Sequence, residues 1–232
     1  LAGETEQHRR LKEAACWWLW NQGFRAVAAE VPMPGIGVID AAAVGRPGGV
    51  VSRSITCGTY PSRPHAGRGR AVWQAVFIEC KATRADFLRE AADGEQIRTA
   101  IRERRRLALS GSSARPFRRL RRLGKFAVCL ARPTANVHWL LTPPALLRRD
   151  ELPPRWGLLE LSRQGVVMVV PAKWQEARGL RLVEAAIART LTAAIYAADT
   201  RAVTNTLNRL LRQKQADSAR RMVRSLNDLA SM

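Results

Sequence analysis

Residues 71–88 read Ala-Val-Trp-Gln-Ala-Val-Phe-Ile-Glu-Cys-Lys-Ala-Thr-Arg-Ala-Asp-Phe-Leu, and the rest of the chain is understood from them. The apolar run rich in Val, Phe and Ile predicts a buried strand. It ends in Glu79 and Lys81, two charges separated by one residue. Side chains two apart on a strand share a face, so a carboxylate and an ammonium stand side by side. Burying both costs desolvation free energy unless a metal, a partner or a chemical role offsets it.

Upstream, Glu4 to Gln22 reads as a helix with acids in its first turn and Gly23 as its stop. Leu11, Ala14, Ala15, Trp18 and Gln22 form one stripe, and Cys16, Trp17 and Trp20 form a second. This leaves little of the helix's second half for solvent. Glu13 lies one turn before Trp17, either paired with an Arg or aimed into a site. Phe24 to Val31 reads as a strand closed by Pro32 and Pro34, with Glu30 near its end. Gly35 to Val44 is a second strand whose lone polar side chain is Asp40. Asp is a poor strand former and is rarely buried without a partner. It therefore reads as a functional carboxylate, with a loop-capping Asp as the alternative.

The insertion 45–70 is rich in Gly, Pro, Ser and Arg and holds no acidic residue. Val50 to Thr56 adds a strand there, and Arg46, Arg53, Arg63, Arg68 and Arg70 suit phosphate contacts. Cys57 and His65 supply two metal ligands, too few for a site. After Lys81, helices are expected over Ala85–Asp93 and Gln96–Leu109. The second is crowded by Arg102, Arg104, Arg105 and Arg106. Arg115 to Arg122 is almost all Arg, including Arg118, Arg119 and Arg122, and reads as a phosphate-binding surface or a solvated basic face. Strands follow over Lys125–Leu130, Val137–Leu141, within 152–161 and over Val166–Val170, as an antiparallel extension of the sheet. From Lys173 the pattern is helical: Leu182–Ala198, Arg201–Gln213 and Ala216–Leu229. The expected division is a domain over 1–172 and a helical extension over 173–232. The extension packs on that domain or on a second copy of the chain as a homodimer.

Across 232 residues, 39 Lys and Arg against 19 Asp and Glu give a net charge of +20. That balance favours a polyanionic partner, above all nucleic acid. The four cysteines are widely spaced, which speaks against a zinc ribbon or a disulfide framework and for a reducing compartment. No apolar run reaches membrane-spanning length and no signal-peptide layout opens the chain, so a soluble, cytoplasmic protein with no membrane partner is expected.

Neighbouring strands thus bring Asp40 and Glu79, with Lys81 beside Glu79 and a further carboxylate at Glu30. Clustered carboxylate oxygens with an adjacent backbone carbonyl suit a hard divalent cation such as Mg²⁺. A metal so held activates water and stabilises charge building on a phosphate, and an ammonium beside it adds to that stabilisation. These parts suffice to cleave a phosphodiester.

Asp40 with Glu79-Cys80-Lys81 resembles the PD-(D/E)xK nuclease signature. The continuation Ala-Thr-Arg-Ala-Asp-Phe-Leu, the N-terminal Leu-Lys-Glu-Ala-Ala-Cys-Trp-Trp-Leu and the later Leu-Pro-Pro-Arg-Trp-Gly-Leu-Leu resemble its MmcB-like branch of DNA-repair and phage-associated proteins. The resemblance runs from Glu4 to Ala172. It implies an α/β fold with a restriction-endonuclease-like core, a mixed sheet flanked by helices in the order α-β-β-β-α-β. It also implies Mg²⁺ or Mn²⁺ held by Asp40, Glu79 and the Cys80 carbonyl, with Lys81 as catalytic lysine. Glu13 matches the acidic residue of the first helix, and Glu30 is a further ligand candidate. Ile39 stands where the signature has Pro, and the Lys-Trp and Tyr that follow Asp-Phe in this branch are replaced by Glu90 to Gln96. The implied function is metal-dependent DNA cleavage in repair, recombination or phage DNA processing, with Arg84 and the arginines above on the DNA. RNA is an open alternative as substrate, and a non-cleaving DNA-binding repair accessory is an open alternative as function.

Overall fold

The β-period of residues 26–45 and 74–80 builds three adjacent antiparallel strands: β1 (Ala26–Met33), β2 (Gly37–Gly45) and β3 (Gln74–Cys80). They belong to a computed structural model that describes residues 5–46, 73–91, 94–110, 123–198 and 200–201. Beyond Arg46, the basic insertion lies outside those residues, as do Arg115–Arg122 and the helices expected past Arg201. Three further strands, β4 (Val137–Thr142), β5 (Gly157–Ser162) and β6 (Gly165–Val170), complete a six-stranded sheet in chain order. β3–β4 and β4–β5 are parallel and β5–β6 is antiparallel, so the fold is α/β with a mixed sheet flanked by helices. An antiparallel extension was expected after β3. The parallel pairs arise because the connections before β4 and β5 are long enough to cross over rather than turn back.

Helix α1 (Glu6–Asn21) starts where Thr5 accepts the His8 N–H through its hydroxyl, and it stops before Gly23, at φ 91°. Leu11, Ala15 and Leu19 seat it on one sheet face, against Ala41, Ala43, Val76, Ile78, Trp139 and Leu141. Trp18 meets Trp139 edge-on at 5.8 Å. The second stripe is not covered as expected: Trp17 is 68% exposed and Trp20 43%. The opposite face carries Ala42, Val44, Ala75 and Phe77 under Val183, Ala186 and Ile187. Those three lie on α5, the helical residues 180–190.

The parallel crossover from β3 to β4 runs through α2 (Arg84–Glu90), α3 (Gly94–Ser110) and α4 (Lys125–Ala131). Residues Lys125–Leu130 were expected to form a strand and are helical instead. Phe126 to Ala131 are all buried, between the sheet and α3, so the run shows no amphipathic period to set helix apart from strand. The chain divides into Leu1–Thr190 and Leu191–Met232 rather than after Ala172, because α5 contributes to the core of the first unit. In the second unit, residues 191–198 and 200–201 are helical.

Candidate active site

Antiparallel register sets Ala41 opposite Ile78, so one step outward Asp40 comes level with Glu79. The Cys80 N–H donates to Asp40 Oδ2 at 2.8 Å, and His8 Nε2 of α1 stands 3.5 Å from the same oxygen. Glu79 is fully buried. Its Oε2 accepts from Lys125 Nζ at 2.8 Å and faces Lys81 Nζ at 3.6 Å. Lys81 also reaches Glu90 Oε2 of α2 at 2.9 Å, and Lys125 donates to the Val38 carbonyl at 2.7 Å. Among the described residues nothing hydrogen-bonds Glu79 Oε1, a buried oxygen. A pocket of about 460 Å³ opens beside this cluster, lined by His8, Cys80, Lys81, Asp86, Arg89 and Glu90.

The two carboxyls are driven apart by their surroundings. Burial alone raises Asp40, but the His8 ring, the Cys80 N–H and Lys81 outweigh it and hold the group below its ordinary range. Glu79 is pushed up to about 7 by complete burial and then by the charge of Asp40, with Lys125 and Lys81 opposing. Burial works against the Lys125 charge, yet Glu79, Glu90 and Asp40 raise it above its ordinary value.

Asp40, Glu79, Cys80 and Lys81 are therefore brought together as the sequence suggested. Glu13 is not. Five residues past His8, it lies about 140° around the helix at 100° per residue; it is exposed and lines a different groove. Glu30 also lies apart, since a φ of 54° turns it out of the strand, and it pairs with Lys12. Arg84 is held in a two-pronged pair with Glu151 and so is committed within the fold. Arg105 is exposed on α3. Arg53, Arg63, Arg68, Arg70, Arg118, Arg119 and Arg122 lie outside the described residues. Sequence reasoning missed His8, Glu90 and Lys125. For Lys125 a signal existed: it is a lone charge opening an apolar run, the same anomaly that drew attention to Glu79.

No protein-family model matches this chain, and no curated protein matches it in sequence. Among solved structures, the SPO1766 protein of unknown function from Silicibacter pomeroyi aligns with 84% of this chain and 91% of its own, at 17% identity and a TM-score of 0.47.

Whether a divalent cation fits turns on the bare oxygens. Glu79 Oε1 is buried with no hydrogen-bond partner among the described residues, and the Cys80 N–H and the His8 ring both approach Asp40 Oδ2. In an extended strand the N–H and C=O of one residue point the same way, which puts the Cys80 carbonyl on the edge that faces Asp40. Two carboxylates and a carbonyl, completed by water, suit Mg²⁺, which keeps several waters and needs only one or two carboxylates. No group of three His, Cys, Asp or Glu side chains that could hold a metal occurs among the described residues. The residues present thus fit a hard cation that keeps several waters.

Proposed function

We propose that this chain is a restriction-endonuclease-like, metal-dependent nuclease that hydrolyses phosphodiester bonds in DNA. The observation that carries the reading is the convergence of Asp40, within β2, and Glu79, near the end of the adjacent antiparallel β3, with Lys81 3.6 Å from Glu79 and Glu79 Oε1 left bare. Asp40, Glu79 and the Cys80 carbonyl would hold Mg²⁺ or Mn²⁺, which when bound supplies a Lewis acid for the phosphate and lowers the pKa of a water.

The chain's own groups do the rest. The Cys80 N–H and His8 keep Asp40 ionised and fix its orientation. Lys125 anchors Glu79 by Oε2, so that Oε1 remains available. Lys81, only 5% exposed and steadied by Glu90, presents an ammonium to the negative charge that grows on the phosphate. The pocket between α1 and α2 admits the backbone, with His8 and Arg89 among its walls.

The test is cleavage of plasmid and branched DNA with Mg²⁺ or Mn²⁺. Wild type should cut, and Asp40→Ala and Lys81→Ala should each lose about a hundredfold or more in rate, the scale of removing one preorganised electrostatic group. Cleavage that persists unchanged in both variants overturns the reading. One observation favours a second reading, a DNA-binding accessory that does not cleave: Lys81 and Lys125 already neutralise Glu79 from two sides. Salt-dependent binding that is identical in chelator and in Mg²⁺ or Mn²⁺, with intact DNA throughout, would select it.

A further inference from the structure

A second concavity lies on the sheet's free side, between α1 and the edge strand β1, with a volume of about 640 Å³. Its apolar floor is Cys16, Val27 and Ala29, and its walls are the indoles of Trp17 and Trp20. Leaving Trp17 68% exposed forgoes the burial that a large aromatic ordinarily gains. Trp18, between them, is packed on Trp139 in the core, so α1 directs one indole inward and two outward. The Arg25 guanidinium lies 4.6 Å from the centre of the Trp20 ring, placing a planar cation beside one of the groove's indoles. Arg9, which pairs with Glu6 at the exposed surface, and Lys12 line the groove as well. Of its two carboxylates, Glu30 is paired with Lys12, and Glu13 is the other.

We propose that this groove binds an unpaired nucleobase of a single-stranded DNA segment, stacked on Trp17, with the adjoining phosphates toward Arg9 and Arg25. The proposal rests on the reading of DNA as the partner, and it adds a substrate class to it: strands with unpaired bases, such as flaps or frayed ends. An apolar slot between indoles with guanidinium groups at its rim matches a base and its phosphates, because every base has a π-face and stacking is sequence-tolerant. His8, at 3.5 Å from Asp40, and Trp17 are nine residues apart on α1, about 13.5 Å along its axis at 1.5 Å per residue and about 180° around it at 100° per residue, so the groove and the Asp40 cluster lie on different sides of that helix. A peptide strand added to β1 fits less well, since Pro32 lacks an N–H and Glu30 breaks the edge at φ 54°.

The experiment is fluorescence anisotropy in chelator, with the full chain, a labelled oligothymidylate and an abasic strand of the same length and charge. Wild type should bind the thymidine strand more tightly than the abasic one. Trp17→Ala should weaken thymidine binding by about five- to a hundredfold, the range found for base–aromatic stacking. It should leave abasic binding and the thermal melt unchanged, and Trp17→Phe should restore most of the preference. Absence of binding, equal affinity for the two strands, or an equal loss on both in Trp17→Ala overturns the proposal. So does a fall in sedimentation mass on Trp17→Ala, which would assign the groove to a second copy of the chain. Because no metal is present, a base preference without any cleavage activity keeps this inference and removes the nuclease reading. Cleavage without a base preference does the reverse.

Discussion

Lys125 shows how much of a site one side chain can settle. A lysine at the first position of a helix opposes the helix dipole, and α4 tolerates it because the ammonium ends between Glu79 Oε2 and the Val38 carbonyl. Lys125→Met removes that partner from a fully buried carboxylate, a change that costs about 3–5 kcal/mol where the pair is desolvated. The loss should be smaller when Glu79→Gln is already present. A double-mutant cycle read by urea denaturation should give a coupling above about 1 kcal/mol, and additive effects would mean that the pair contributes nothing to folding. His138 of β4 is a second case of burial setting chemistry. Arg104 donates to Gln175 Oε1 at 2.6 Å, which turns the Gln175 amide nitrogen toward His138 Nδ1 at 3.2 Å and assigns the ring proton to Nε2. Burial, then the charge of Arg104, lowers this imidazole to about 3. The unfolded chain, with an ordinary histidine near 6.5, therefore binds more protons than the folded one between those values. The stability that His138 contributes is complete above pH 6.5 and is lost as the pH falls toward 3, by at most about 1.4 kcal/mol per pH unit. His138→Leu should flatten that part of the profile when urea midpoints are compared from pH 7 to pH 4; an unchanged slope would exclude His138 as its source.

At the level of elements, β4 and β5 approach one another closely because Gly157 sits opposite Trp139. A Cβ at Gly157 would meet Trp139 Cζ3 at 2.4 Å and the Ala172 nitrogen at 2.5 Å, a ring and a backbone with no freedom to withdraw. Gly157→Ala should cost about 1–3 kcal/mol, the usual result of overpacking a dense core, and lower the melting temperature; an unshifted melt would mean that β5 is free to move. The same packing explains what the sequence made legible. β1 to β3 could be read because their apolar runs are short and bounded, by Pro32 and Pro34 for the first and by Glu79 and Lys81 for the third, and α1 could be read from its stops and from the stripe of Leu11, Ala14, Ala15 and Trp18. α4 could not, since burial on every side erases the helical period that would betray it, and Lys125 was hidden by the same misreading. Glu13 looked like the acid of α1 because its spacing from Trp17 was visible. The rotation that brings His8 to Asp40 depends on how α1 seats on the sheet, which no single element encodes.

For the whole molecule the dominant fact is the charge of +20. Around Asp40 and Glu79 that excess is absent, because Lys81, Lys125 and Arg89 face Asp40, Glu79, Glu90 and Asp86. Arg84 is likewise spent on Glu151. Along the sequence, the insertion is a stretch rich in cations and free of acids, with Arg46, Arg53, Arg63, Arg68 and Arg70 and no Asp or Glu from 45 to 70. If those arginines contact phosphates, each contact releases counterions, and the logarithm of duplex affinity falls with the logarithm of salt by about 0.9 per contact. Replacing Arg53, Arg63, Arg68 and Arg70 by Ala should then lower the salt slope by about two to four and weaken all duplex sequences alike, because phosphate contacts position without specifying. Anisotropy titrations across a salt series measure this directly. An unchanged slope would exclude these four arginines as the phosphate surface.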